Sequence, residues 1–192
     1  MKLPPKFNQI VNALFVLGLI ALLFSTSARR TVASTMQSWA LRLGLFDAQA
    51  EAVDSLGTVE RNFPLVTLDG APLDPATLAG KPVFLHVWAS WCPPCIAEFP
   101  DIQKLVASVP AEEVAFLLVT VDRNPEKARE FLEKKGYSLP VYQLTATLPP
   151  EIQYNAIPTT YLIDTSGKIV YKHEGLAQYN NDDFRNFLLK ID

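Results

Sequence analysis

Two cysteines, Cys92 and Cys95, lie in the run Trp91-Cys92-Pro93-Pro94-Cys95. The thiolate is the reactive form of cysteine, and a pair at this spacing can attack a foreign disulfide and then close on itself. In that division of labour Cys92 attacks and Cys95 resolves the mixed disulfide. Disulfides that staple a fold join distant segments and need more cysteines, so this pair is not structural. Zinc needs four ligands. Only His86 and His173 could complete such a set, and both fall on separate strand-like segments. No metal and no cofactor are expected.

The elements around the pair are consistent with exchange chemistry. VFLHVWA before the motif is a mostly apolar run, the pattern of a strand buried on both faces. The motif then opens a helix over about 94–109, with Pro100 inside as a kink. A helix N-terminus stabilises a thiolate through its free N–H groups and the positive end of the dipole. Cys92 would stand exposed at the N-cap, with Cys95 sheltered one turn in. Pro93 and Pro94 carry no N–H, which leaves Cys95 and Ile96 as the nearest backbone donors. The Cys92 thiol is therefore expected below a free thiol's pKa, though not among the lowest for this motif.

The rest of the chain alternates strands and helices. FPLVTL and APL flank an Asp69–Gly70 turn and predict a hairpin, with Pro72 confining the second strand to an edge. A buried strand is expected over 114–121. A helix follows, capped by Asn124, entered through Pro125 and ended by Gly136. PVYQL reads as a short strand and LPPEIQYN as a brief helix. TTYLID and KIVYKHE form an antiparallel hairpin across Ser166 and Gly167, and a last helix covers about 181–191. The pattern predicts a mixed central sheet flanked by helices and covered on both faces.

Composition narrows the function classes. Net charge is −3 with no Lys/Arg-rich run, so nucleic-acid binding has no electrostatic basis. Residues 7–27 carry no charge, and as a helix they would reach roughly 31 Å, enough to cross a bilayer core. Lys2 and Lys6 precede this span and Arg29 and Arg30 follow it. The positive-inside count is near a tie, and a short basic tail favours an inside N-terminus. A cleaved signal peptide is the alternative, with Thr26 and Ala28 as small residues near a cut. The expected organisation is an anchor over 1–28, a partly helical stalk over 29–57 and a globular domain over 58–192. In the stalk, Val32, Met36, Trp39, Ala40 and Leu43 share one helical face. That face would suit either the membrane interface, with Trp39 and Arg42 at the headgroups, or docking on the domain.

WCPPC with Pro100 five residues on, together with IPTTYLID at 157–164, resembles the thioredoxin superfamily. The N-terminal span, the leading hairpin, the helix–strand insert at 125–143 and Glu98 resemble its TlpA/ResA/CcmG-like branch of tethered extracytoplasmic disulfide reductases. The resemblance implies a thioredoxin-like fold. It implies that Cys92 and Cys95 form the redox disulfide, that Glu98 joins them as a catalytic residue, and that Pro158 is a cis-proline. Trp91, Pro93, Pro94, Ile157, Pro158 and Thr159 would border the substrate groove. Where branch members carry asparagine six residues before the first cysteine, this chain has His86, a candidate proton relay to Cys95 or a hydrogen-bonded core histidine.

The resemblance further implies a DsbD-type membrane thiol donor and an oxidised protein substrate. Cytochrome c maturation and metal-site assembly are the settings it suggests, with the domain on the periplasmic side of the inner membrane. Two rivals stand beside the reductase: a disulfide-forming oxidase of the same fold, and a copper-binding chaperone using both thiolates and a histidine.

Overall fold

The computed structural model describes residues 5–42, 48, 56–74 and 77–191. Helices α1 (Pro5–Phe24) and α2 (Thr26–Arg42) lead the chain. The domain follows as β1 (Leu65–Thr67), β2 (Val83–Trp88), α3 (Pro93–Ser108), β3 (Ala115–Thr120), α4 (Glu126–Lys135), β4 (Val141–Leu144), β5 (Thr159–Ile163), β6 (Ile169–Glu174) and α5 (Asp182–Leu188). The strands form one mixed sheet in the order β1-β4-β3-β2-β5-β6. β2 and β3, and β3 and β4, run parallel, whereas β2–β5, β5–β6 and β1–β4 are antiparallel.

β2 sits at the centre and every residue in it is buried. Successive side chains on a strand point to opposite faces. Phe84 and Trp88 therefore join a cluster with Phe99, Ile102, Leu105, Leu132 and Phe184 of α3, α4 and α5. Val83, Leu85 and Val87 enter a second cluster with Val59, Phe63, Leu78, Ile152 and Ile163. The Trp88 and Phe99 rings meet at 4.4 Å between centroids, which locks the end of β2 to α3.

Among the described residues, irregular segments around Val59, Phe63, Leu78 and Ile152 cover the second cluster. Three expectations need correction. The brief helix expected at LPPEIQYN is only a turn closed by Ile152 N–H to the Pro149 carbonyl, since its two prolines remove the donors a helix would use. The strand after Asp69–Gly70 reduces to one bridge between Val66 and Pro72. The last helix is also shorter than expected, ending at Leu188. The helix after Asn124 is as its caps imply: Asn124 Oδ1 accepts from Glu126 N–H at 3.1 Å, and Gly136 ends it at φ 69°.

Side chains of α1 are exposed at Ile10, Leu14, Phe15 and Leu17. Among the described residues no helix is long and apolar enough to cross a membrane. α2 packs against α3. Leu43, the last residue of the apolar stripe, lies outside the described residues.

Candidate functional site

The turn from β2 into α3 is held by one carboxylate. Asp122, just past β3, accepts from the backbone N–H and the hydroxyl of Ser90, both at 2.9 Å, and from the Thr120 hydroxyl at 2.8 Å. Sequence reading passed over Asp122, because only the parallel pairing of β2 with β3 brings it to Ser90.

Cys92 is the N-cap of α3, with extended backbone at φ −92° and ψ 109°. Its Sγ accepts from Cys95 N–H at 3.3 Å. Ile96 N–H bonds instead to the Cys92 carbonyl at 3.0 Å, so of the two expected donors one reaches the sulfur. The two cysteines form a disulfide. Cys92 was expected to be exposed, yet only 3% of it is accessible, and Cys95 is fully buried. The cause is the loop opposite, where the Ile157 carbonyl stands 3.6 Å from Cys92 Sγ. In the oxidised pair this sulfur has no proton to donate there; a reduced Cys92 thiol would.

The Ile157–Pro158 peptide bond is cis. The Pro158 carbonyl is occupied by Gly175 N–H at 2.8 Å. Thr159 was expected along the groove, but its side chain is fully buried and donates to the Ala156 carbonyl at 2.7 Å, being the first inward residue of β5. Trp91 is half exposed beside Cys92, and Pro93, Pro94 and Ile157 are half buried around it. Trp91 also borders an open groove of about 690 Å³ shared with Ser90, Lys127, Glu130 and Phe131. That side of the site, built by the α4 insert, gave no signal in the sequence.

One turn along α3 from Cys95 lies a buried polar cluster. Glu98, one turn after Cys95 on α3, and His86, central in β2, are both fully buried. His86 Nε2 faces Glu98 Oε2 at 3.5 Å, and neither atom has a hydrogen-bond partner among the described residues. Glu98 Oε1 accepts from Ala177 N–H at 2.6 Å, and His86 Nδ1 lies 2.8 Å from Thr160 Oγ1. Burial pushes the Glu98 carboxyl well above its ordinary range; the Ala177 hydrogen bond opposes this and the Asp101 charge adds to it. Burial lowers His86 to about 3. Both shifts run against charging, so burial favours a protonated carboxyl facing a neutral imidazole over an ion pair.

The tautomer with its ring proton on Nδ1 donates to Thr160 and leaves Nε2 as an acceptor facing Glu98. The Tyr179 ring meets His86 edge-on at 6.3 Å between centroids. Burial raises the phenols of both Tyr171 and Tyr179, which stay protonated. Thr160 and Tyr179 escaped the sequence reading. The first meets His86 only through the β2–β5 register, and the second arrives from the segment before α5. His173, on β6, pairs across the strand with Thr160.

Comparison with known proteins adds a family to this geometry. The Redoxin family matches residues 47–187. The thiol-disulfide oxidoreductase ResA of Halalkalibacterium halodurans is 32% identical over 115 residues, covering 59% of this chain and 65% of that one. The match thus spans just under two thirds of that relative. The thiol:disulfide interchange protein DsbE of Yersinia pestis is 38% identical over 118 residues, 59% of this chain and 61% of that one. A solved thiol:disulfide interchange protein of the thioredoxin family from Chlorobium tepidum TLS superposes with a TM-score of 0.54 at 26% identity, over 76% of this chain and 98% of that one.

Proposed function

The chain belongs to the Redoxin family, and on that footing we propose that it is a tethered protein-disulfide reductase working outside the cytoplasmic membrane. The observation that carries this reading is the Cys92–Cys95 disulfide at the N-terminus of α3, capped by Cys95 N–H and faced by the Ile157 carbonyl. A reduced Cys92 thiolate attacks a substrate disulfide and forms a mixed disulfide, and one substrate sulfur leaves as a thiolate. Cys95 then attacks Cys92 Sγ, releases the second substrate thiol and restores the internal disulfide. Two electrons pass to the substrate, and a thiol donor must return them.

Cys95 has to lose a proton before it attacks. Glu98, one turn along α3 from Cys95, and His86, which faces it, hold one proton between them. We assign them as the pair that exchanges protons with Cys95. His86 directs both ring nitrogens at protein groups, Thr160 and Glu98. That arrangement supports a proton-handling role over a copper ligand.

Kinship with ResA and DsbE supports an oxidised protein substrate in cytochrome c maturation or metal-site assembly, and a membrane dithiol protein of DsbD type as donor. The uncharged run 7–27 and the exposed apolar side chains of α1 support a single-pass anchor in the inner membrane, with the domain on the periplasmic side.

The reduction potential of the Cys92/Cys95 pair tests the direction of flow. It is measured on the full chain in detergent, equilibrated against thiol buffers. A reductase should lie near or below about −220 mV. A value near about −120 mV would make the protein an oxidant and overturn the assignment of direction.

A further inference from the structure

Helix α2 wears its apolar residues on the outside. Val32, Met36 and Trp39 are 40%, 68% and 61% exposed. At about 100° per residue they occupy roughly 60° of the helix circumference. Ser34, which falls on the opposite side, is 9% exposed. A helix that only packed on a globular domain would turn its stripe inward and its serines outward. Here the order is inverted: Ser34 is the buried residue, and the apolar stripe stays mostly exposed even where Trp39 borders the domain.

We propose that this stripe rests on the lipid surface, so that α2 is an interfacial helix laying the redox domain against the bilayer. The inference rests on the reading of α1 as a membrane anchor. Three observations select lipid as the occupant. Only Ser25 separates α1 from α2, so the stripe lies on the helix that directly continues from the apolar run of α1. Arg29 is exposed and lies on the same side as the stripe, within reach of lipid phosphates, with arginines again at positions 30 and 42. Trp39, an aromatic suited to the headgroup boundary, stands exposed within the stripe.

The same tryptophan connects the stripe to the redox centre. Trp39, Ser34 and Thr35 line a cleft of about 220 Å³ with Ile96, Pro100 and Tyr137. Ile96 directly follows Cys95. The catalytic helix is then about one helix diameter, roughly 10 Å, from the membrane surface. Such a site would meet a partner whose thiols also lie at the bilayer face.

The test reconstitutes the full chain into phosphatidylethanolamine–phosphatidylglycerol vesicles, with and without lipid brominated high on the acyl chain. Flotation and tryptophan emission are read together, with Trp39→Phe and Trp91→Phe resolving the contributions. The proposal expects quenching and a blue shift that persist in W91F, vanish in W39F, and weaken in Met36→Glu while the chain still floats. A chain that floats while the emission of Trp39 escapes the bromines would overturn the lipid contact and leave the anchor standing. In that case, concentration-dependent cross-linking through the stripe would assign it to a second copy. A chain that fails to float would overturn the anchor and the inference together.

Discussion

Replacing His86 with asparagine should tilt the pH profile of stability, and the sign follows from two opposed shifts. In the folded chain burial holds His86 near 3, against an ordinary value of 6.5. The unfolded chain therefore binds a proton at this residue in a window where the folded chain does not. The stability contributed by the neutral imidazole is fully present above about pH 6.5 and is lost as pH falls toward about 3. Glu98 acts in reverse. Its folded pKa lies well above the ordinary 4.5, so its contribution is complete below that value and is lost as pH rises.

Between about pH 4.5 and 6.5 the two slopes offset each other in the native chain. In His86→Asn only the Glu98 slope remains, and the variant should gain stability on acidification relative to the native chain. Each pH unit is worth about 1.4 kcal/mol, so the relative gain across the window is about 3 kcal/mol. With a urea m-value of about 1–3 kcal/mol/M, the midpoint should move by roughly 1–3 M. Urea titrations of the oxidised full chain in mild detergent, read by tryptophan fluorescence at several pH values, measure it. Any packing cost of asparagine shifts the whole profile and leaves the slope alone. Parallel profiles for the native chain and H86N would refute the opposed shifts.

Two further outcomes test other parts of the structure. Glu98→Gln keeps a buried hydrogen-bonding group but cannot release a proton, so disulfide exchange should slow by about 10²-fold and its pH–rate profile should lose one ionisation; stopped-flow reduction of a model disulfide decides this. Gly167 adopts φ 91°, and a Cβ there would lie 2.5 Å from the Val59 carbonyl oxygen. Gly167→Ala should therefore cost roughly 1–3 kcal/mol in thermal or urea unfolding, and an unchanged midpoint would show that the segment at Val59 gives way freely.

How much of this was legible in the sequence depended on whether the signal was local. The Cys92 N-cap, Gly136 ending α4 and the turn between β5 and β6 each follow from a few neighbouring residues, and each was read close to its place. The misreadings involve contacts between distant segments. Cys92 looked exposed because nothing in WCPPC foretells a carbonyl arriving from Ile157. Glu98 could equally have been a solvated helix residue, and its burial depends on Ala177 and His86 closing over it. The apolar stripe of α2 was visible as periodicity, but its direction could be known only once Ser34 was seen to face the domain. LPPEIQYN failed for a local reason: prolines that open a helix well also leave a short one without donors.

The place of β2 in the middle of the sheet has a consequence for how the chain is made. β2 gains β3 soon after synthesis, but its other edge stays unpaired until residues 159–163 have emerged. β1 waits equally long for β4. An unpaired edge on a strand as apolar as VFLHVW is a template for association with other chains. Its partners are distant in sequence, so closure is slow and comes late. A chain delivered across a membrane from its N-terminus would hold this edge open, with both thiols still uncovered, until most of the domain had arrived. The sulfur chemistry of the mature site therefore begins in a nascent chain that must be shielded from its own kind.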